Sequence, residues 1–316
     1  MFSIDHKSEN GLNVIYLIDN SSQTSVGILP DHGALLHAFI TRVNGRPYNV
    51  IDHYKDMDEL DQQLTTSYKS AKLSPFVCRT HNGKYVMEGK EYEFENKFPD
   101  GSAIHGLLYN HPFTVTDSFV NENNACITLQ AEYKSEDKGY PYHYTCMVTY
   151  TLSHGNELMV HTRITNKGSD AMPLADGWHP YFQLDAPVDG LYLRFNAKKM
   201  LQFNDALIPT GELEERSEFY EGKLIGDTQL DNCFLLEKTD GNDPVCTLRN
   251  PVNGLELKIF AEENYPFLQL YIPPARTSIA IENLSGAPDC FNNRMGLQVL
   301  GANEKADFRV RYKVGS

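Results

Sequence analysis

Strict alternation of apolar and polar side chains in the middle of the chain limits what it can fold into. Ile127, Leu129, Ala131 and Tyr133 share one side of an extended backbone, and Thr128, Gln130 and Glu132 share the other. Tyr142, Tyr144, Cys146, Val148, Tyr150 and Leu152 repeat the pattern. A His154-Gly155-Asn156 turn follows, and Leu158, Val160, Thr162 and Ile164 form the return. Successive side chains of a strand face opposite ways, so period-two runs joined by short turns specify antiparallel sheet with one buried face.

The same signal recurs toward both ends. Residues 11–18 are rich in β-branched and aromatic side chains, and 33–41 and 46–51 flank Asn44-Gly45, a two-residue hairpin signal. After a Pro251-Val252-Asn253-Gly254 turn, Leu255, Leu257, Ile259 and Ala261 alternate. Segments 267–272 and 278–282 read as buried strands. Phe308, Val310, Tyr312 and Val314 alternate with Arg309, Arg311 and Lys313, which predicts a final strand with a basic outer face. The best helical segment is 52–64, where Tyr54, Met57, Leu60 and Leu64 fall on one helical face. Residues 212–222 read as a polar loop. The 316 residues allow one large domain or two smaller ones. No linker and no internal repeat interrupts them, so the expectation is one all-β domain over 1–316, built of stacked antiparallel sheets with few short helices.

The net charge of −14, from 28 basic and 42 acidic residues, argues against a nucleic-acid or anionic-membrane partner. It suits a neutral small-molecule substrate. The six cysteines are scattered with no CxxC pair, which predicts reduced buried thiols in a cytoplasmic protein rather than a zinc or redox motif. The first ten residues are polar and lack the apolar core of a signal peptide. No run approaches the roughly eighteen apolar residues that would span a membrane.

Ala175-Asp176-Gly177-Trp178-His179-Pro180-Tyr181-Phe182-Gln183-Leu184 is the most unusual stretch, with the only tryptophan and a histidine held between that ring and a proline. Proline fixes its own φ and pushes the preceding residue toward extended backbone. Such a stretch could aim an imidazole between aromatic faces, which suit sugars, or be an ordinary buried strand with one satisfied histidine. Four other positions stand out: His105 beside Gly106, Asp231 at the entry to a strand, Glu282 at the end of an apolar run, and Arg79. Glu282 is either a solvated strand-end acid or a buried carboxyl whose raised pKa suits a base. Asp231 could be a turn former and Arg79 a surface ion-pairing residue. No short spacing among the histidines and carboxylates indicates a metal site, so none is expected. No glycine-rich phosphate loop or serine elbow occurs.

Together these patches resemble the aldose 1-epimerase (galactose mutarotase) family. Its His-Pro-Tyr-Phe pattern is matched by His179-Pro180-Tyr181-Phe182 and its earlier His-Gly by His105-Gly106. A Glu-x-x-x-x-Ala-Pro-Asp-x-Phe-Asn patch is matched from Glu282 to Asn292. The arginine patch is matched loosely by Cys78-Arg79-Thr80, followed by Gly83-Lys84-Tyr85 and Gly89-Lys90-Glu91-Tyr92, and the acid before a strand by Asp231. The order Arg, His, His, Asp, Glu is the family's. This chain departs from the family at Leu107, where a second glycine is usual, at Pro75-Phe76-Val77, and at Cys78 in place of asparagine.

The resemblance implies a galactose-mutarotase-like β-supersandwich that interconverts the anomers of a free aldohexose such as galactose or glucose. Glu282 would be the general base and His179 the general acid, with His105 on the ring-oxygen side. Arg79 and Asp231 would hold peripheral hydroxyls. Tyr181 would contact the sugar, and Trp178 would pack beside it or support His179; strand alternation favours support. The implied protein is a monomer or homodimer that needs no cofactor. Three alternatives remain: a non-catalytic sugar-binding protein of the same fold, a hexose-6-phosphate mutarotase, and a glycoside hydrolase using Asp231 and Glu282 as its carboxylate pair.

Overall fold

The computed structural model describes residues 1–239 and 241–315. Half of the chain is in strands and 7% in helices, in large antiparallel sheets, as the alternation requires. The three alternating segments become Asn124–Lys134, His143–Ser153 and Glu157–Asn166, the backbone of a nine-stranded sheet. Ile127 lies opposite Tyr150, Tyr150 opposite Val160, and Val160 opposite Val310. That row is wholly buried. Burying each such side chain contributes about 1.5–3 kcal/mol. A slip of one residue would turn the whole row to solvent, so the apolar pattern fixes the register.

An eight-stranded sheet lies across the inner face of the first. Its order runs Pro209–Glu215, Lys199–Phe203, Asp231–Leu235, Phe267–Tyr271, Ile279–Leu284, Gly177–Trp178, Lys72–Leu73, and Tyr181–Phe182 also pairs with Ile279–Leu284. Ring contacts join the layers: Tyr150 meets Trp178 at 6.1 Å and Tyr312 meets Phe182 at 5.6 Å between centroids. A five-stranded N-terminal meander, Phe2–Glu9 to Arg46–Asn49, is tied on where the Tyr150 hydroxyl donates to the Ala34 carbonyl (2.7 Å). Its last hairpin turns at Asn44 and Gly45, both at positive φ, as the dipeptide predicts.

Two expectations need correction. The helix is Met57–Ser67, not 52–64. Asp56 caps it by accepting from the Glu59 N–H. Asp52 is drawn away into extended backbone, where its N–H donates to the Tyr181 carbonyl and its carboxylate accepts from Lys69 and Ser278. Residues 212–215 are not loop but part of the strand Pro209–Glu215, at the rim of the eight-stranded sheet. Both faces of this edge strand meet water, so no alternation marks it.

Close backbone approach governs the segment that carries His105. Gly106 has φ +79°, and a Cβ there would stand 2.3 Å from the Ser74 carbonyl oxygen. Gly45 has φ +77° but open space around it. Gly45→Ala should therefore cost only about 1–2 kcal/mol, from the backbone alone. Gly106→Ala should cost about 3 kcal/mol, because backbone must also move. Urea denaturation midpoints of the two variants check this, and equal losses would contradict it.

Candidate active site

The antiparallel pairing of two short segments builds the site. Gly177 lies opposite Leu284, Tyr181 opposite Ala280, and Phe182 opposite Ile279. His179 and Glu282 fall opposite each other in that one register. Pro180 has no N–H to give the ladder, although its carbonyl still accepts from the Ile281 N–H (3.1 Å), and residues 70 and 71 also hold the backbone of His179. The His179 N–H donates to the Ala71 carbonyl (3.1 Å), and the Ser70 N–H donates to the His179 carbonyl (2.9 Å). As a result His179 Nε2 stands 3.4 Å from Glu282 Oε1, with both side chains almost fully buried.

The pair sits at the floor of a pocket of about 270 Å³, whose lining also includes His105, Arg79, Asp231 and Tyr181. Tyr181 stacks on the His179 ring at 5.0 Å and 20°. His105 meets His179 edge-on, with centroids 4.9 Å apart. Its own backbone is left-handed, held by an N–H that donates to the Cys78 carbonyl (2.8 Å). Arg79 reaches the mouth and pairs with Asp100. Asp231 opens the strand Asp231–Leu235 and accepts from the Gln269 side-chain amide (3.0 Å).

Of the residues singled out from sequence, only Trp178 is turned away. It packs under Tyr150 and Lys72, on the opposite side of the strand from His179. Gln269, Cys78, Tyr271, Phe203 and Leu207 line the pocket without having been anticipated. Gln269 carried a signal, as the one polar side chain in an otherwise apolar run, and it pairs directly across from Glu282. Phe203 and Leu207 lie on the rim hairpin, where nothing in the sequence distinguishes them from other exposed apolar residues.

Burial sets the charges. It pushes the Glu282 carboxyl well above its ordinary value, and the nearby Asp231 charge adds to this. Burial also lowers His179 to about 4 and His105 well below the usual histidine range, with the neighbouring His179 and Arg79 adding to the shift on His105. Both shifts favour the neutral forms, a carboxylic acid beside an imidazole, and in those forms the pair holds one transferable proton. Glu282 Oε2, Gln269 Oε1 and His105 Nδ1 are buried without a protein partner. Each such orphan costs about 1–3 kcal/mol, which marks the floor as built for a polar ligand. His105, His179 and Glu282 also offer ligand atoms all within 4.8 Å of one another, so these three could hold a metal ion. The fold creates that trio from distant parts of the chain.

The aldose 1-epimerase family model matches residues 15–313, and the chain belongs to that family. It is 25% identical over 246 residues to the uncharacterized protein YihR of Escherichia coli (strain K12), covering 76% of this chain and 77% of that one. A galactose mutarotase-like protein from Clostridium acetobutylicum superposes with a TM-score of 0.89 at 17% identity, over 100% of this chain and 99% of that one. Galactose 1-epimerase from Lactobacillus acidophilus NCFM superposes at 0.83 with 19% identity, over the same shares.

The raised Glu282 pKa makes stability depend on pH. Above the unfolded value of about 4.5 the unfolded chain releases this proton while the native chain keeps it, so stability falls as pH rises toward the native pKa. Glu282→Gln removes that slope. The Tm of the variant minus that of wild type should grow as pH rises above about 4.5. A constant difference in calorimetry would contradict the buried acid.

Proposed function

We propose that this protein is an aldose 1-epimerase that interconverts the α and β anomers of a free aldohexose such as galactose or glucose. The reading is carried by one observation: Glu282 and His179 stand 3.4 Å apart on the floor of a pocket of about 270 Å³. Ring opening needs one group to accept a proton from the anomeric hydroxyl while another donates to the ring oxygen. As the sugar enters, its hydroxyls hydrogen-bond to both groups and stabilise the charged forms, and the proton crosses from Glu282 to His179. The Glu282 carboxylate then takes the C1 hydroxyl proton while the His179 imidazolium protonates the ring oxygen. The bond from C1 to the ring oxygen breaks, the aldehyde turns about C1–C2, and closure with the roles reversed gives the other anomer. Each group contributes about 10²–10⁴-fold. His105 polarises the ring-oxygen side, Arg79 and Asp231 hold outer hydroxyls by charge-assisted hydrogen bonds, and Tyr181 packs against the sugar. Only protons move.

A phosphorylated hexose fits less well. A phosphate site should gather two or more cationic side chains, and Arg79, already paired with Asp100, is the one Lys or Arg among the described residues of the lining. A pure sugar binder has no use for an acid–base pair buried at this cost. The six free, buried thiols support a reducing, cytoplasmic setting. No helix among the described residues is long and apolar enough to cross a membrane.

Freshly dissolved α-D-galactose or α-D-glucose should change optical rotation faster with the protein than without it. Glu282→Gln and His179→Asn should each lower that acceleration at least about 10²-fold with unchanged circular dichroism. No acceleration on any common aldose, free or phosphorylated, would favour the non-catalytic binder.

A further inference from the structure

Beneath the pocket, on the side of the strand away from the sugar site, lies an ion pair with no part in proton transfer. Lys72 and Asp176 are both 0% exposed, and Lys72 Nζ donates to Asp176 Oδ2 at 2.5 Å. The same ammonium donates to the Gly177 carbonyl (3.1 Å) and lies 4.6 Å above the Trp178 ring. The other carboxylate oxygen of Asp176 accepts from the Tyr265 hydroxyl (2.7 Å). The Asp176 backbone is engaged twice with one partner: its N–H donates to Ser285 Oγ (2.7 Å), and its carbonyl accepts from the Ser285 N–H (2.8 Å).

The placement of these contacts is informative. Asp176 comes three residues before His179, and Ser285 three residues after Glu282. The segments are antiparallel, so pairing Asp176 with Ser285 sets the register in which His179 lies across from Glu282, as Gly177 opposite Leu284 confirms. A slip of one residue would send the Glu282 side chain to the far face of the sheet. The ladder alone is a weak guard against that slip, since Gly177–Trp178 and Tyr181–Phe182 are two residues each and Pro180 between them has no N–H, leaving only the Ile281 N–H to Pro180 carbonyl bond (3.1 Å) there. Lys72–Leu73 pairs with Gly177–Trp178 on the side away from Ile279–Leu284, so the charge pair restrains the His179 segment itself: a shift of Asp176 along its strand would leave Lys72 uncompensated in the core. Stability does not explain the pair, since apolar residues of similar volume often do as well or better.

Resting on the proposed epimerase reading, we infer that Lys72 and Asp176, with Tyr265, form a register lock that positions His179 against Glu282. They are positioning residues, and they touch neither the sugar nor the reacting atoms.

The test is the paired apolar replacement Lys72→Met/Asp176→Leu. It should melt within a few degrees of wild type, lose at least about 10-fold in kcat, since small misplacements of catalytic groups cost that much or more, and keep KM within about threefold. Tyr265→Phe removes one hydrogen bond to Asp176 and should lower kcat about threefold to tenfold with KM unchanged. A paired variant with kcat within twofold of wild type would overturn the inference. So would one that does not fold, because the pair would then serve stability. Wild-type kcat in Tyr265→Phe would overturn it as well.

A wild-type protein inert on every sugar would instead remove the epimerase reading. The lock is then read from the His179 imidazole NMR signals, assigned by their loss in His179→Asn. They should shift or split in the paired variant, and unchanged signals would overturn the lock.

Discussion

The pairing of the segment around His179 with the strand Ile279–Leu284 is the constraint from which the rest of the site follows. It puts an imidazole and a carboxyl on the same face, at the same level, with their backbones in one sheet. Distance between the two groups is set by interstrand geometry rather than by loop conformation, and sites carried on strands are held more closely than sites on loops. Everything around the pair serves to keep that pairing. Residues 70 and 71 grip the backbone of His179, Tyr181 stacks on its ring, and the layers of buried tyrosines support the sheet from below.

Burial is the second organising force. In water near neutral pH the carboxyl would be ionised and the imidazole partly so, and both would be held by solvent rather than by each other. Enclosed, each disfavours its charged form, and the two share a single proton. Gln269 fits this arrangement. It lies across from Glu282, binds Asp231 through its amide nitrogen, and leaves its carbonyl oxygen unpaired at the pocket floor.

Much of the fold was legible because alternation reports burial directly. The runs from Ile127 to Ile164 appear as strands in the expected register, and Asn44-Gly45 turns where its dihedral preferences say it should. The two misreadings have separate causes. Asp52 leaves the helical pattern for partners at Tyr181 and Ser278, and the strand ending at Glu215 is exposed on both faces, so neither leaves a local trace. At the site, Glu282, His179, His105, Arg79 and Asp231 were legible because each sits in a motif patch, and the fold gathers all five. Gln269 left only the trace of one polar side chain in an apolar run, and the Lys72–Asp176 pair left none, because its meaning lies in cross-strand neighbours that no spacing rule supplies.

All six cysteines are interior and unbridged. An alkylating reagent can therefore mark most of them only when the sandwich opens, so the molecule carries its own clock for unfolding. Cys78 differs, since it borders the hollow where a sugar would rest. Labelling there would respond to occupancy, while labelling at the other five would respond to breathing of the whole fold.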